Sequence, residues 1–341
     1  MMNDRYSRQT LFSQIGEQGQ RRIADKHVLI IGAGALGTGS AESLVRAGVG
    51  KITIVDRDYV EFSNLQRQQL YVEEDAEKRV PKAFAAARRL RQINSEVLIE
   101  SHILDVVPQE FEKLIDGVDL ILDATDNFDI RMMINDISQK HDIPWVYGSC
   151  VGSYGISFTI IPKKTPCLHC LMERVPLSGL TCDTAGIINP TVGLVVAHQT
   201  AEALKILVED WSALRKKIIT FDLCTNQHSA VTVSKLKNEN CLSCGENPTY
   251  PYLQFDNQMK AAVLCGRDTV QIRPNYKEKP DIDKIFSSLF TKGHDVQRNA
   301  FLFFLVINER QRLVMFKDGR TLVHGTNDVI EAKKLYHRYF G

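Results

Sequence analysis

The run Val28-Leu29-Ile30-Ile31-Gly32-Ala33-Gly34-Ala35-Leu36-Gly37 constrains this chain more than any other stretch. Aliphatic residues lead straight into G-x-G-x-x-G, and a helical pattern follows from Gly37 to Ala47. A second aliphatic run, Ile52 to Val55, then ends in Asp56. The order strand, tight turn, helix start, strand, acid predicts a nucleotide-binding βαβ unit. In it Gly32 permits the sharp turn, Gly34 lets backbone approach a phosphate, and Gly37 lets helix pack close to strand. N–H groups at the helix start meet a negatively charged ligand, and Asp56 stands where a carboxylate reaches ribose hydroxyls. The plainer alternative is a glycine-rich turn that binds nothing.

The chain continues in the same idiom. Residues 5–25 read as one or two helices. After Asp56 comes a polar loop or short helix, Asp58 to Gln69, and Pro81-Lys82 opens a helix running to about Arg91. Val97 to Ile103, Val118 to Ala124 and Pro144 to Gly148 read as strands, with helical patterns at Phe111 to Ile115 and beyond Phe128. This alternation predicts an α/β fold with a doubly wound, mainly parallel sheet and right-handed crossovers. Ligands of such sheets sit beyond the carboxyl ends of the strands, where Asp56, Arg67, Lys82 and Asp126 can converge. From about Gly148 the pattern changes. Tyr154 to Pro162 and Ile218 to Ser234 read as antiparallel strands, and Thr191 to Val208 as a long apolar helix. The tail carries strand patterns at Phe301 to Ile307 and Arg312 to Phe316 and a closing helix at Val329 to Tyr339.

With 341 residues the chain can bury one large core or two smaller ones. Its 42 basic and 41 acidic residues leave +1, so bulk charge points to neither nucleic acid nor membrane as a partner. No apolar stretch approaches the roughly 20 residues that span a bilayer, and the polar N-terminus does not read as a signal peptide. A cytoplasmic protein is expected. Eight cysteines in a chain this long read as metal ligands, reactive thiols or core filler rather than a disulfide framework.

Cys167-x-x-Cys170 and Cys241-x-x-Cys244 are two knuckles presenting two thiolates each. Together they suit tetrahedral zinc, structural because four thiolates leave no open position. The alternatives are two redox pairs or unpaired core cysteines. Against redox, neither pair opens a helix in a thioredoxin-like unit. Arg67, Lys82 and Asp126 beyond the ribose acid suit a triphosphate with Mg2+, favouring ATP over NAD. Taken singly, Lys82 reads as a solvated helix-start lysine and Arg67 as half of a surface ion pair. Cys182, in a polar glycine-containing loop before a helix, is either a thiol activated by helix N–H groups or inert. Cys150, Cys224 and Cys265 read as small core residues.

Ser7-Arg8-Gln9, the glycine turn, Asp56, Asn64-Leu65-Gln66-Arg67-Gln68, Lys82, Asp123-Ala124-Thr125-Asp126-Asn127, the paired cysteines and Cys182 with Gly186 together resemble the ThiF/MoeB/HesA family. These are bacterial relatives of ubiquitin-activating enzymes, and within them the thiazole-biosynthesis branch is most similar. The resemblance implies a Rossmann-like ATP-binding adenylation domain over 1–245, with a nucleotide half (1–147) and a carrier-binding and zinc half (148–245). A small α+β extension, 246–341, would follow. It implies adenylation of the C-terminal glycine of a ubiquitin-like sulfur-carrier protein ending in Gly-Gly, with ATP, Mg2+ and Zn2+ as cofactors. Arg8 would act as an arginine finger in the other subunit of a homodimer. Asn64, Arg67 and Lys82 would hold phosphates. Asp56 would hold ribose and Asp126 magnesium, with Gly32, Gly34, Gly37 and Asn127 completing the nucleotide site. The position of Cys182 is linked to persulfide chemistry in the thiazole branch and dispensable in the molybdopterin branch. A cysteine desulfurase is a further implied partner. The competing readings are a molybdopterin-carrier adenylyltransferase, a zinc-stabilised NAD-dependent oxidoreductase and a non-catalytic binding module.

Overall fold

The computed structural model describes residues 4–172, 185–254, 261–263, 268–273 and 281–340. The chain falls into two compact units, Met1–Phe255 and Asp256–Gly341. The first begins with α1 (Ser7–Thr10) and α2 (Gly16–Asp25). Tyr6 anchors this arm: its hydroxyl accepts from Asn94 Nδ2 at 2.8 Å, and its ring lies against Gly48, where a Cβ would come within 2.5 Å of it. The βαβ unit follows as β1 (His27–Ile31), α3 (Ala35–Ala47) and β2 (Lys51–Asp56). Helix α3 starts at Ala35, two residues before the expected Gly37, because Gly34 itself occupies the cap position.

Next come α4 (Glu73–Glu77), α5 (Lys82–Ile93), β3 (Leu98–Ile103), α6 (Pro108–Leu114), β4 (Leu120–Asp123), α7 (Phe128–His141) and β5 (Trp145–Val151). Strands β3, β2, β1, β4 and β5 pair in parallel in that order. Both sheet faces are covered, and β1 shows why the sequence is apolar without a break: all five residues are buried. Val28 and Ile30 enter a core with Leu44, Val45 and Leu90, whereas Leu29 and Ile31 enter another with Phe111, Ile134 and Ile137.

At β5 the chain reverses. Gly152, at φ +60°, leads into β6 (Tyr154–Ile160), and β7 (Lys217–Asp222) and β8 (Gln227–Thr232) extend the sheet antiparallel to eight strands. Between them lie α8 (Leu168–Met172) and α9 (Asn189–Leu207). Helix α9 packs closely on α3, since a Cβ on Gly39 would lie 2.9 Å from Val196. Cys224 departs from the core assignment: it is exposed in the turn between β7 and β8, its N–H donating to Asp222 Oδ1. Cys150 is partly buried on β5, and Cys265 lies outside the described residues. Residues 246–254 belong to the first unit, where the Tyr252 N–H donates to Asp136 Oδ2 at 2.9 Å.

The second unit is a six-stranded antiparallel sheet. Its strands are β9 (Ala261–Val263), β10 (Thr269–Ile272), β11 (Val296–Arg298), β12 (Leu302–Val306), β13 (Arg312–Phe316) and β14 (Thr321–His324). One face packs Phe303, Leu305, Leu313 and Met315 against α10 (Ile282–Thr291) and α11 (Val329–Phe340). Among the described residues no helix is long and apolar enough to cross a membrane.

Candidate nucleotide-binding site and thiolate cluster

The sheet order places a topological switch point between β1 and β4, where crossovers leave in opposite directions. The glycine turn occupies it. Gly32 has φ +99°, which favours glycine, and a Cβ there would lie 2.4 Å from the Ala124 carbonyl oxygen beyond β4. A Cβ on Gly37 would lie 1.9 Å from the Gly32 carbonyl oxygen, so α3 is seated directly on the turn. At Gly34 the surroundings are open, with only Gln68 Nε2 reaching 4.0 Å. Two substitutions should therefore separate. Gly37→Ala is expected to cost about 3 kcal/mol through overpacking, read as a lowered urea midpoint. Gly34→Ala should keep the fold and obstruct the nucleotide. Equal unfolding midpoints for the two variants would contradict this division.

Asp56 ends β2 with one oxygen accepting from the Ala33 N–H at 2.6 Å and the other from the Asp58 N–H at 2.7 Å. Burial pushes its pKa up, Lys82 opposes that, and Asp58 adds to it. Lys82 opens α5, with Pro81 at the cap position, and its N–H donates to the Asp58 carbonyl. This contact and the Tyr59–Pro81 bridge draw the helix start under the loop after β2. Lys82 is consequently 3% exposed rather than solvated, with Nζ 3.6 Å from Asp58 Oδ2.

Asn64 is buried and accepts from the Glu61 N–H through Oδ1, which shapes the turn Phe62–Asn64. Arg67 donates to the Ser63 carbonyl at 2.9 Å and forms no ion pair among the described residues. Beyond β4, Asn127 caps α7 by accepting from the Ile130 N–H, and Asp126 is exposed at the rim. The geometry thus gathers the glycines, Asp56 and Lys82 at the ends of β1 and β2, with Asp126 and Asn127 beside them at the end of β4. Arg8 stands apart, exposed on α1. Cys182 lies outside the described residues.

Two arginines escape sequence reasoning. Arg57 pairs with Asp105 at 3.2 Å. Burial alone would lower its pKa, but Asp105, with Asp58, Asp126 and Asp56, holds it above its ordinary value. Arg131 donates to Asp123 Oδ2 at 3.0 Å and lies over the Tyr147 ring. The buried Asp123 also accepts from Thr125 and so fixes the stretch before Asp126. The available signal was position: a cation at a strand end between two acids, and one on the first turn of α7.

The second constellation is Cys167, Cys170, Cys241 and Cys244, whose sulfurs all lie within 4.8 Å of one another. Three measured separations are 3.8, 3.6 and 3.5 Å. A tetrahedron of Zn–S bonds of about 2.3 Å has edges of about 3.8 Å, so the donor set fits zinc in chemistry and size. A hydrogen bond with Cys167 draws Cys170 down to about 7 and Cys241 lower still. A divalent cation bound there would displace the thiol protons.

The sequence matches the ThiF family model over residues 6–243. It is 49% identical over 340 residues to the Sulfur carrier protein ThiS adenylyltransferase of Bacillus subtilis (strain 168), covering all of both chains. It is 32% identical over 243 residues to the Molybdopterin-synthase adenylyltransferase of Salmonella typhimurium, covering 71% of this chain and 96% of that relative. In fold it is similar to a crystal structure of E. coli MccB with AMPCPP and MccA. That similarity has a TM-score of 0.63 at 23% identity and covers 72% of this chain and 75% of that one.

Proposed function

This chain belongs to the ThiF family, and we propose that it activates the C-terminal glycine of a ubiquitin-like sulfur-carrier protein as an acyl-adenylate. It is a sulfur carrier protein adenylyltransferase, and the carrier is of the ThiS type, which serves thiazole and thiamine biosynthesis. The observation that carries this reading is the buried Lys82 beside Asp56 and Asp58 at the glycine turn, in a chain similar from end to end to a ThiS adenylyltransferase. The molybdopterin-type carrier is the alternative, supported by lower identity over 71% of this chain.

In this reading the carrier carboxylate attacks the α-phosphorus of ATP. A carboxylate O–P bond forms, the bond to the β-phosphate bridging oxygen breaks, and pyrophosphate leaves with its electron pair. A carboxylate needs no base, so the protein's work is to orient the reactants and stabilise charge. Asp56 holds ribose hydroxyls. Gly34 and the start of α3 take phosphate on backbone N–H groups, and Asn64, Arg67 and Lys82 neutralise phosphate oxygens, with Asn127 shaping the loop beside them. Asp126, an exposed carboxylate at the rim, fits Mg2+, which would supply charge neutralisation on the phosphates. Zn2+ at the four thiolates is structural. Arg8 is exposed next to Leu11 and Phe12, which are 73% and 55% exposed, and this supports a homodimer in which Arg8 reaches the partner's site. Cys182 is the candidate for a later sulfur-transfer step, with a cysteine desulfurase as donor, and the chain works in the cytoplasm.

Carrier-dependent ATP–pyrophosphate exchange tests the reading. Exchange should require the carrier's terminal glycine and fall at least about 10²-fold in Asp126→Ala. Exchange undiminished in that variant would remove Asp126 from the phosphate site. NADH binding without any pyrophosphate exchange would favour the oxidoreductase.

A further inference from the structure

Tyr71 belongs to none of the roles assigned above, yet its side chain reaches the centre of the site. Its ring packs in the core cluster of β1 and α3 and is 6% exposed. Its hydroxyl lies 2.6 Å from the Ala33 carbonyl oxygen and 3.2 Å from that of Lys82. One hydroxyl donates one proton, and the shorter distance assigns it to Ala33.

Ala33 is therefore clamped on both sides, its N–H by Asp56 and its C=O by Tyr71. The Ala33–Gly34 peptide is trans, as are all the described peptides. In a planar trans peptide the C=O and the following N–H point in opposite directions. Drawing the Ala33 carbonyl inward to Tyr71 thus turns the Gly34 N–H away from Tyr71. That N–H donates to no described residue, and the space around Gly34 is open. The Gly34 carbonyl faces α3 instead, accepting from the Thr38 N–H and hydroxyl.

We propose that Tyr71 is a positioning residue for the phosphates of ATP: by holding the Ala33 carbonyl, it aims the Gly34 N–H at the phosphate chain. The proposal rests on the reading of the glycine turn as an ATP site, but not on which carrier is adenylated. Tyr71 acts through this peptide, and its longer contact, to the Lys82 carbonyl, leaves the Lys82 ammonium to its own ion pair with Asp58. Its loss therefore weakens ligands that carry phosphate and spares those that do not.

The test is calorimetric binding to the carrier-free protein, comparing wild type with Tyr71→Phe, which keeps the ring and removes the hydroxyl. ATP is expected to bind about tenfold more weakly, the scale of one buried carbonyl left unpaired, with adenosine changed less than about twofold. Amide exchange of the wild-type protein decides the matter if Tyr71→Phe does not fold: ATP should protect the Gly34 N–H where adenosine does not, and equal exchange with and without ATP would overturn the proposal. Equal losses for ATP and adenosine would make Tyr71 a general structural residue and overturn the proposal. Unchanged ATP affinity in Tyr71→Phe would overturn it as well. Failure of wild type to bind ATP would instead remove the ATP-site reading, and failure to adenylate a carrier would leave these binding ratios intact.

Discussion

Lys82→Ala is expected to abolish carrier-dependent ATP–pyrophosphate exchange, by about 10³-fold or more. One preorganised charged or hydrogen-bonding group at a developing negative charge is worth about 10²–10³ in rate, and a cation screened from water sits at the upper end of that range. Lys82 is proposed as such a group, and it is almost fully buried with its ammonium beside Asp58. Its removal acts twice. The phosphates lose a fixed positive charge, and Asp56 and Asp58 are left facing one another without the cation that offsets Asp56's burial. Asp56, the carboxylate proposed to hold ribose, should then be weakened together with the phosphate contact, so ATP affinity falls along with turnover. Far-ultraviolet circular dichroism checks that α5 persists. Exchange above about a tenth of wild type in a folded Lys82→Ala protein would contradict the assignment.

The second large effect is on stability. The four cysteines bring the start of α8 to the segment Cys241–Cys244, far apart in sequence, so a metal there closes a long loop. Apparent binding energies of structural zinc reach on the order of 10 kcal/mol. Cys241→Ser should remove the metal and cost several kcal/mol of it. At about 2–4 °C per kcal/mol for a unit of this size, the melting temperature should drop by at least about 10 °C. The neighbourhood moves with it. Leu168 N–H is held by Asn135 on α7, and Asp136 on the same helix accepts from the Tyr252 N–H, so loosening the knuckle frees that face of α7. Atomic absorption should give about one zinc per wild-type chain and none in the variant. A metal-free chain with the wild-type melting temperature would contradict a structural zinc.

Much of the first unit was legible because its sequence carries local punctuation. The glycine turn marks where β1 ends and α3 begins, and the unbroken apolar runs mark strands covered on both faces. The second unit was harder to read. Its strands are three to five residues long, too short for a period of two to declare itself. Four of them, and the helix Ile282–Thr291, carried no expectation at all.

The site divides in the same way. Asp56 follows from the βαβ pattern alone. Lys82 taken singly reads as solvated, because its burial comes from backbone contacts with Asp58 and Tyr59 that no local pattern announces. Arg57 and Arg131 were missed because the partner of Arg57, Asp105, is on another segment, and that of Arg131 is the last residue of β4. Cys224 was misread because its neighbours are strand-like on both sides, whereas its own position is a turn.

The most direct measurement incubates the protein with ATP, Mg2+ and either a ThiS-type or a molybdopterin-type carrier, and reads the intact mass of the carrier. The expected spectrum shows the ThiS-type carrier gaining one adenylyl group at its terminal glycine, in an anhydride that hydroxylamine cleaves. A ThiS-type carrier that keeps its own mass under these conditions would contradict its assignment as the substrate, and a second carrier that also keeps its mass would contradict the adenylyltransferase itself.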